Sequence, residues 1–378
     1  MIKLLRLLVA VPLLSTSACA REPATQEAKK TFDGQSSDLQ STTVVPTLGA
    51  MAPHGHNAVW CSSFLTAWKS LATNMAKADV SLESSPQTAV ILNKADDPTL
   101  HNPKGSTYVA TGWNNQGVLD RIRKELKVAF PNKSAPTFPE ITPDSFVAYA
   151  YLEANVKFDL PYFQNGKPLD FTDSKGRKTK VASFGIRPED DYAYYKLRSQ
   201  PRVLFRKGGL GEEAELEFAI DLCSASSPGQ IVVARIKQEP SLAKALARIE
   251  KELEVIKKMK HIDPAHGKYL NDIGPNDVLL VPDLFWQISH HFTDLEGKRF
   301  LNAPLKDQRL DVAQQDILFR LDRSGAELKS ESKMVCAPVP TYFVLDRPFL
   351  IYMKNRNAKE PYFAMWVDNA ELLTLWKK

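Results

Sequence analysis

The sequence predicts an α+β fold of mostly antiparallel sheets, with helices concentrated in the N-terminal half. Helical spacing of apolar residues dominates between residues 57 and 130, whereas after residue 144 short alternating runs separated by Gly, Pro, Ser and Asp take over. Strands and helices do not alternate in the regular way that a doubly wound parallel sheet requires. No segment of roughly 20–50 residues recurs, which excludes a solenoid or a propeller. With 378 residues and 43% hydrophobic content, the chain can bury a large core, read as one domain over residues 46–378.

Residues 1–20, MIKLLRLLVAVPLLSTSACA, combine Lys3 and Arg6 with an apolar run from Leu7 to Leu14 and a small-residue exit. This is the pattern of an export signal, too short to remain as a spanning helix. Two processing sites compete: cleavage before Cys19, which would then carry a lipid, or cleavage after Ala18-Cys19-Ala20. Loss of Lys3 and Arg6 lowers the formal net charge from +5 to +3. Residues 21–45 are polar and without period and read as a flexible tether. The expected location is the periplasm or cell surface, with membrane contact only through a lipid on Cys19.

Along the domain, residues 57–75 read as one buried helix with Phe64, Ala67, Trp68, Leu71 and Met75 on a face. Residues 81–106 read as loop with one short apolar piece, Ala89 to Leu92. STYVATGW, 106–113, is a strand, and 115–130 an amphipathic helix with Val118, Ile122, Leu126 and Val128 inward, closed by Pro131. The run 146–158, FVAYAYLEANVKF, is apolar enough for a central strand covered on both faces. Hairpins follow at 167–186 and through VLFR, LEFAIDL and QIVVARI. A helix over 241–260 turns Leu242, Leu246, Ile249, Leu253 and Ile256 to one side. VLLVP, LFWQIS, DILFRLD, FLIYMKN and YFAMWVD are the remaining strands.

Acidic and basic residues are nearly matched and interspersed, with no one-sided basic stripe, so a nucleic-acid partner has no support. The Walker, zincin, nucleophile-elbow and Cys-x-x-Cys patterns are all absent, so no catalytic constellation points to an enzyme. Gly208 to Gly211, GGLG, joins two short strands and reads as a hairpin turn, not a phosphate cradle. His54 and His56, or His290 and His291, could each supply two metal ligands. However, no acidic or thiol partner stands at ligand spacing, and neighbours on a strand point to opposite faces, so neither a metal nor another cofactor is expected. Glu189-Asp190-Asp191 reads as a solvated turn, and the aromatics of DDYAYYK as a candidate partner surface. Besides Cys19 there are three cysteines, allowing at most one bridge. Cys61 lies in the apolar VWCSSFLTAW; Cys223 and Cys336, in polar turn-like surroundings, are the better pair, against the alternative of three idle thiols.

The C-terminal stretch FVLDRPFLIYMKNRNAKEPYFAMWVDN resembles the closing signature of the serpins, with Phe343, Arg347, Pro348, Phe349, Phe363 and Val367 at the matching positions. Upstream, DVAQQDILFRLDRSGAE is similar to the strand that leads into the serpin reactive loop, and LLVPDLFWQIS to the strand before it. QIVVARIKQEPSLAKALARIEKEL, VKFDLPYF, DFTDSKGRKTKVASF and HNAVWCSSFLTAWKSLA resemble further serpin segments, in the family's order over most of residues 57–369. The chain departs from the pattern in four ways, one of them a short stretch between DLEGKRF and DILFRL. Between STYVATGW and Phe146 there is room for one helix and a short strand, so the helix that crosses the front of the serpin main sheet is expected to be missing. No Ser-Pro pair stands near Ser62-Ser63, and Arg323 stands where a Glu is usual.

The resemblance implies an exposed loop over about residues 325–342, cut by a target protease and then inserted as a new strand. The expected hinge is Gly325, Ala326, Glu327, Leu328 and Lys329, and the scissile region Pro338, Val339 and Pro340. Ala326, Leu328, Ser330, Ser332 and Met334 alternate with charged residues, the right phase for a half-buried strand. Leu328 and Lys329 replace small hinge residues, and a bulky side chain entering a packed sheet costs roughly 1–3 kcal/mol. Pro340 makes a poor leaving side for a serine protease. The expected function is therefore a serpin-fold binding or scaffold protein, with a protease or an envelope protein as partner; the alternative is an active inhibitor working through Val339.

Overall fold

The structure, a computed structural model, describes residues 30–98, 101–102, 107–131, 135–138, 140–154, 157–187, 196–208, 216–262, 272–306, 308–323 and 341–377. Its α+β class is as expected: among the described residues the strands form three main sheets and a small hairpin.

The first sheet runs β1 (Phe32–Gln35), β14 (Leu284–His291), β16 (Arg309–Leu321), β5 (Phe146–Ala154), β4 (Thr107–Trp113), with β15 (Lys298–Arg299) beside β16. β5 is buried at every position from Phe146 to Leu152, which explains why its sequence is a continuous apolar run. It pairs antiparallel with β4 and parallel with β16, from Leu310 opposite Phe146 to Phe319 opposite Ala154. The second sheet runs β10 (Arg202–Gly208), β11 (Leu216–Asp221), β12 (Gly229–Arg235), β18 (Phe349–Asn355), β19 (Phe363–Val367), β3 (Asn57–Cys61), β2 (Thr42–Val44). The third runs β17 (Tyr342–Val344), β13 (Val278–Pro282), β9 (Ser183–Ile186), β6 (Phe163–Gln164), and β7 (Leu169–Thr172) pairs with β8 (Lys178–Val181).

The largest apolar cluster lies among the three sheets and includes Trp286, Phe319, Phe343, Phe349 and Phe363. Behind the first sheet, α1 (Ser62–Leu71) buries Phe64, Leu65, Ala67, Trp68 and Leu71, together with Ser62 and Ser63. Over its other face, α3 (Val118–Ala129) packs Val118, Ile122 and Leu126 on Val147, Tyr149, Tyr151 and Val312. One helix thus covers this face, and no strand occurs between α3 and β5 among the described residues. α4 (Leu242–Ile262) lays Leu242, Ala245 and Ile249 on the second sheet, against Val232, Ala234 and Trp366.

Four expectations are corrected. The helix expected from residue 57 begins only at Ser62; Asn57–Cys61 is a strand buried at all five positions and paired on both edges, with Ser62 N–H donating to the Tyr362 carbonyl. A short apolar run has no periodicity that separates strand from helix, so the error was built into the pattern. The stretch 81–106 contains a helix, α2 (Gln87–Lys94), whose only buried residues, Ala89 and Leu92, are too few to show a period. Val128 is 77% exposed, because with Val118, Ile122 and Leu126 inward it falls on the opposite side of α3. The stretch 21–45 is not tether throughout: β1 lies parallel on β14 and β2 parallel on β3, so the folded part begins before residue 46. Such edge strands bury only alternate residues, and their polarity hid them. Glu371 fastens this arm, accepting from Gln40 N, Ser41 N and Thr42 Oγ1 at 2.6, 3.0 and 2.6 Å.

Candidate functional site

The segment expected to work leaves the first sheet at Leu321, the last residue of β16, and re-enters the third sheet at Thr341, just before β17. Both ends are held. At the exit, Arg323 Nε donates to the Tyr162 carbonyl at 3.1 Å and Arg320 Nε to Asp322 Oδ2 at 2.5 Å. At the return, buried Asp277 accepts from Thr341 N and Gly274 N, both at 2.7 Å, while Val278 N donates to the Thr341 carbonyl. The expected hinge Gly325 to Lys329, the scissile region Pro338 to Pro340, and Cys336 all lie outside the described residues, as do Cys19 and Glu189 to Asp191.

What the sequence did not reveal is how the parallel seam between β5 and β16 is latched. The polar triplet Gln314-Gln315-Asp316 of β16 is buried. On the α3 side, Asp316 accepts from Tyr149 Oη at 2.8 Å, Ser289 Oγ at 2.6 Å and Gln314 Nε2 at 3.1 Å, so three adjacent strands meet on one carboxylate. Burial, and then the neighbouring Asp316, hold the Tyr149 phenol far above its ordinary range. On the α1 side, Gln315 Nε2 donates to Ser63 Oγ at 2.9 Å and to the Cys61 carbonyl at 3.2 Å. Three polar residues inside an otherwise apolar strand must find partners, and that was the available signal.

Asp283, between β13 and β14, sits beside the loop exit. Its Oδ2 accepts from Gln164 Nε2 at 2.8 Å, while its Oδ1 is enclosed without a partner among the described residues. Burial above all, with Asp322 adding to it, pushes the carboxyl up to about 7, against the pull of Gln164, Arg323 and Arg320. The native state therefore keeps a proton that the unfolded chain releases, so this group's contribution to stability is full below the ordinary carboxylate range and falls as pH rises through about 7. Asp283→Asn is expected to stabilise the fold by about 2 kcal/mol near pH 8, water screening included, and to have little effect near pH 4. Urea unfolding at the two pH values checks this; an equal effect at both would refute it.

The remaining expected site residues are structural. Cys61 ends β3 in the core, and burial pushes its thiol up to about 11. Cys223 is a free thiol, enclosed at the start of the β11–β12 turn where its N–H donates to Asp221, and burial pushes it up to about 12. His290 Nδ1 meets Ser36 Oγ at 2.7 Å, and burial lowers its pKa to about 4. His291 Nδ1 meets Glu296 Oε1 at 2.8 Å, an acidic partner the spacing did not disclose. Among the described residues no three potential ligands gather around a metal position. Phe343, Phe349, Phe363 and Val367 are fully buried, and Arg347 is exposed.

No family model matches the chain, and no curated protein does. Solved structures do. The thermophilic serpin tengpin in its native state is 13% identical, with a TM-score of 0.51 over 85% of this chain and 90% of its own. Serpin48, a highly specific serpin of the insect Tenebrio molitor, is 12% identical, with a TM-score of 0.44 over 83% of this chain and 92% of its own. Native protease nexin-1 with heparin is 11% identical, with a TM-score of 0.39 over 81% and 80%. The likeness to tengpin agrees with the ordered segments and the C-terminal signature: the chain carries the serpin fold.

Proposed function

We propose that this chain is an exported serpin-fold protein whose loop insertion is lost or altered, acting as a binding or scaffold protein at the cell envelope. The observation that supports this best is the buried latch across the β5–β16 seam, Tyr149 Oη on Asp316, while β16 itself is pinned by Ser289 of β14 on that face and by Gln315 to Ser63 and Cys61 on the other. A strand inserted there would break the parallel ladder and the buried Tyr149–Asp316 bond before its own could form. Leu328 and Lys329, in the hinge, would bring bulk into the same packed layer. Pro340 adds a poor scissile bond. The export pattern of residues 1–20 supports work outside the cytoplasm, and Cys19 supports a lipid as the membrane link.

One observation favours the alternative, an active inhibitor cut near Val339. β5 and β16 run parallel, so a chain turning back after Leu321 would lie antiparallel to both and could fill the seam with good ladder geometry. The two readings separate on treatment with a panel of serine and cysteine proteases, followed by a thermal melt. The expected result is loop cleavage without an SDS-stable adduct and with an unchanged melting temperature. A large upward shift after cleavage near Val339, or a covalent adduct, would overturn the scaffold reading.

A further inference from the structure

One face of the third sheet holds a cleft of about 290 Å³, at the small end of ligand sites. Its shape follows from the strand register. Phe163 on β6 stands opposite Gly185 on β9, which in turn stands opposite Leu280 on β13. Directly opposed residues project to the same face, so two apolar walls flank a position that has no side chain. The close approach of β13 requires glycine there, since a Cβ would lie 1.8 Å from the Leu279 carbonyl oxygen, so no side chain fills the floor between the walls.

The rim of the cleft is cationic. Arg187 is two residues beyond Gly185 and so on the same face, and the exposed Lys167 comes from the turn that follows β6. Arg187 Nε is enclosed and bonded to nothing among the described residues. No carboxylate among the described residues neutralises this guanidinium, so the part of it that lines the cleft is left for an anion. The neighbouring polar groups do not compete for it: the Gln164 amide is engaged by Ser183 and Asp283, and that of Asn165 by Ser183. Bare charge would suit an inorganic ion, but the Phe163 and Leu280 walls call for hydrocarbon as well.

We infer that the cleft binds a small organic carboxylate, its carboxylate on Arg187 with Lys167 adding charge, and its apolar body between Phe163 and Leu280. The site is independent of loop insertion. Calorimetric titration of the full chain with octanoate tests it, with octanol, acetate and inorganic phosphate as comparisons. Octanoate should bind, and each of the other three should bind at least about tenfold more weakly. Arg187→Gln should weaken octanoate at least about tenfold, the scale of one charge-assisted hydrogen bond, with an unchanged circular dichroism spectrum. Should that variant misfold, Lys167→Glu, at an exposed position, should weaken octanoate and leave octanol unaffected. Octanol binding as well as octanoate, phosphate or acetate matching it, or both variants retaining wild-type affinity would each overturn the assignment.

Discussion

Replacing Arg356 with methionine should lower the stability of the native state by about 3–5 kcal/mol, more than any exposed ion pair is worth. The guanidinium sits just after β18 and reaches across to the β11–β12 turn. It donates to Asp221 Oδ2 at 2.8 Å, to the Ser224 carbonyl at 2.8 Å and to the Ser227 carbonyl at 2.9 Å. Asp221 is 1% exposed, and its remaining donors are Gln230 Nε2 and Cys223 N. Without the cation, a buried carboxylate keeps only neutral partners. Burial already raises the Asp221 pKa, held back by Gln230, Cys223 N and Arg356. Removing Arg356 raises it further, so the variant's deficit should be largest at neutral pH and shrink as acid protonates Asp221. Urea unfolding across this range checks both parts, and adding Asp221→Asn should recover much of the loss. A deficit independent of pH would mean that lost packing, not the stranded carboxylate, is responsible.

Tyr149→Phe should cost about 2–3 kcal/mol, the range for a hydrogen bond to a buried carboxylate, while leaving the shape of the core intact. Tyr149 is fully buried, with its ring edge-on to Phe138, so the lost hydroxyl opens no sizeable cavity. The functional consequence is sharper than the stability change. Tyr149 belongs to β5 and Asp316 to β16, so this bond closes the seam directly. If the latch is what blocks insertion, the variant should gain an upward melting shift after loop cleavage that the parent lacks. Loss of stability without any such gain would show that Leu328, Lys329 and Pro340 suffice to block it.

The parts of the fold legible in the sequence are those where one physical signal dominates. The uninterrupted apolar run of β5, the three-strand hairpin series β10 to β12, and the helical spacing of Val118, Ile122 and Leu126 each admit one reading. Order along the chain then did what no single segment could, which is why the serpin likeness was visible at 13% identity to tengpin. Asn57–Cys61 failed because five buried residues carry no period. β1 failed because FDGQ is polar and four residues long, and only the free edge of β14 makes it a strand. The carbonyl-lined notch at Gly185, the Asp316 latch and the Asp277 anchor depend on pairings between distant segments, which composition and spacing do not encode.

The parallel docking of β1 on β14 also fixes a direction. Thr31 N donates to the Phe285 carbonyl and Phe32 stands opposite Trp286, while the neighbouring Leu284 stands opposite Leu321, where the loop departs. Chain entry and loop departure therefore share one pole of the molecule. With a lipid on Cys19, the dozen or so intervening residues span at most ~40 Å even when taut, so that pole would hang toward the bilayer within about one protein diameter. The anchor would then act as a spatial filter: only partners small enough to enter that gap, or themselves seated in the same membrane, could reach the loop.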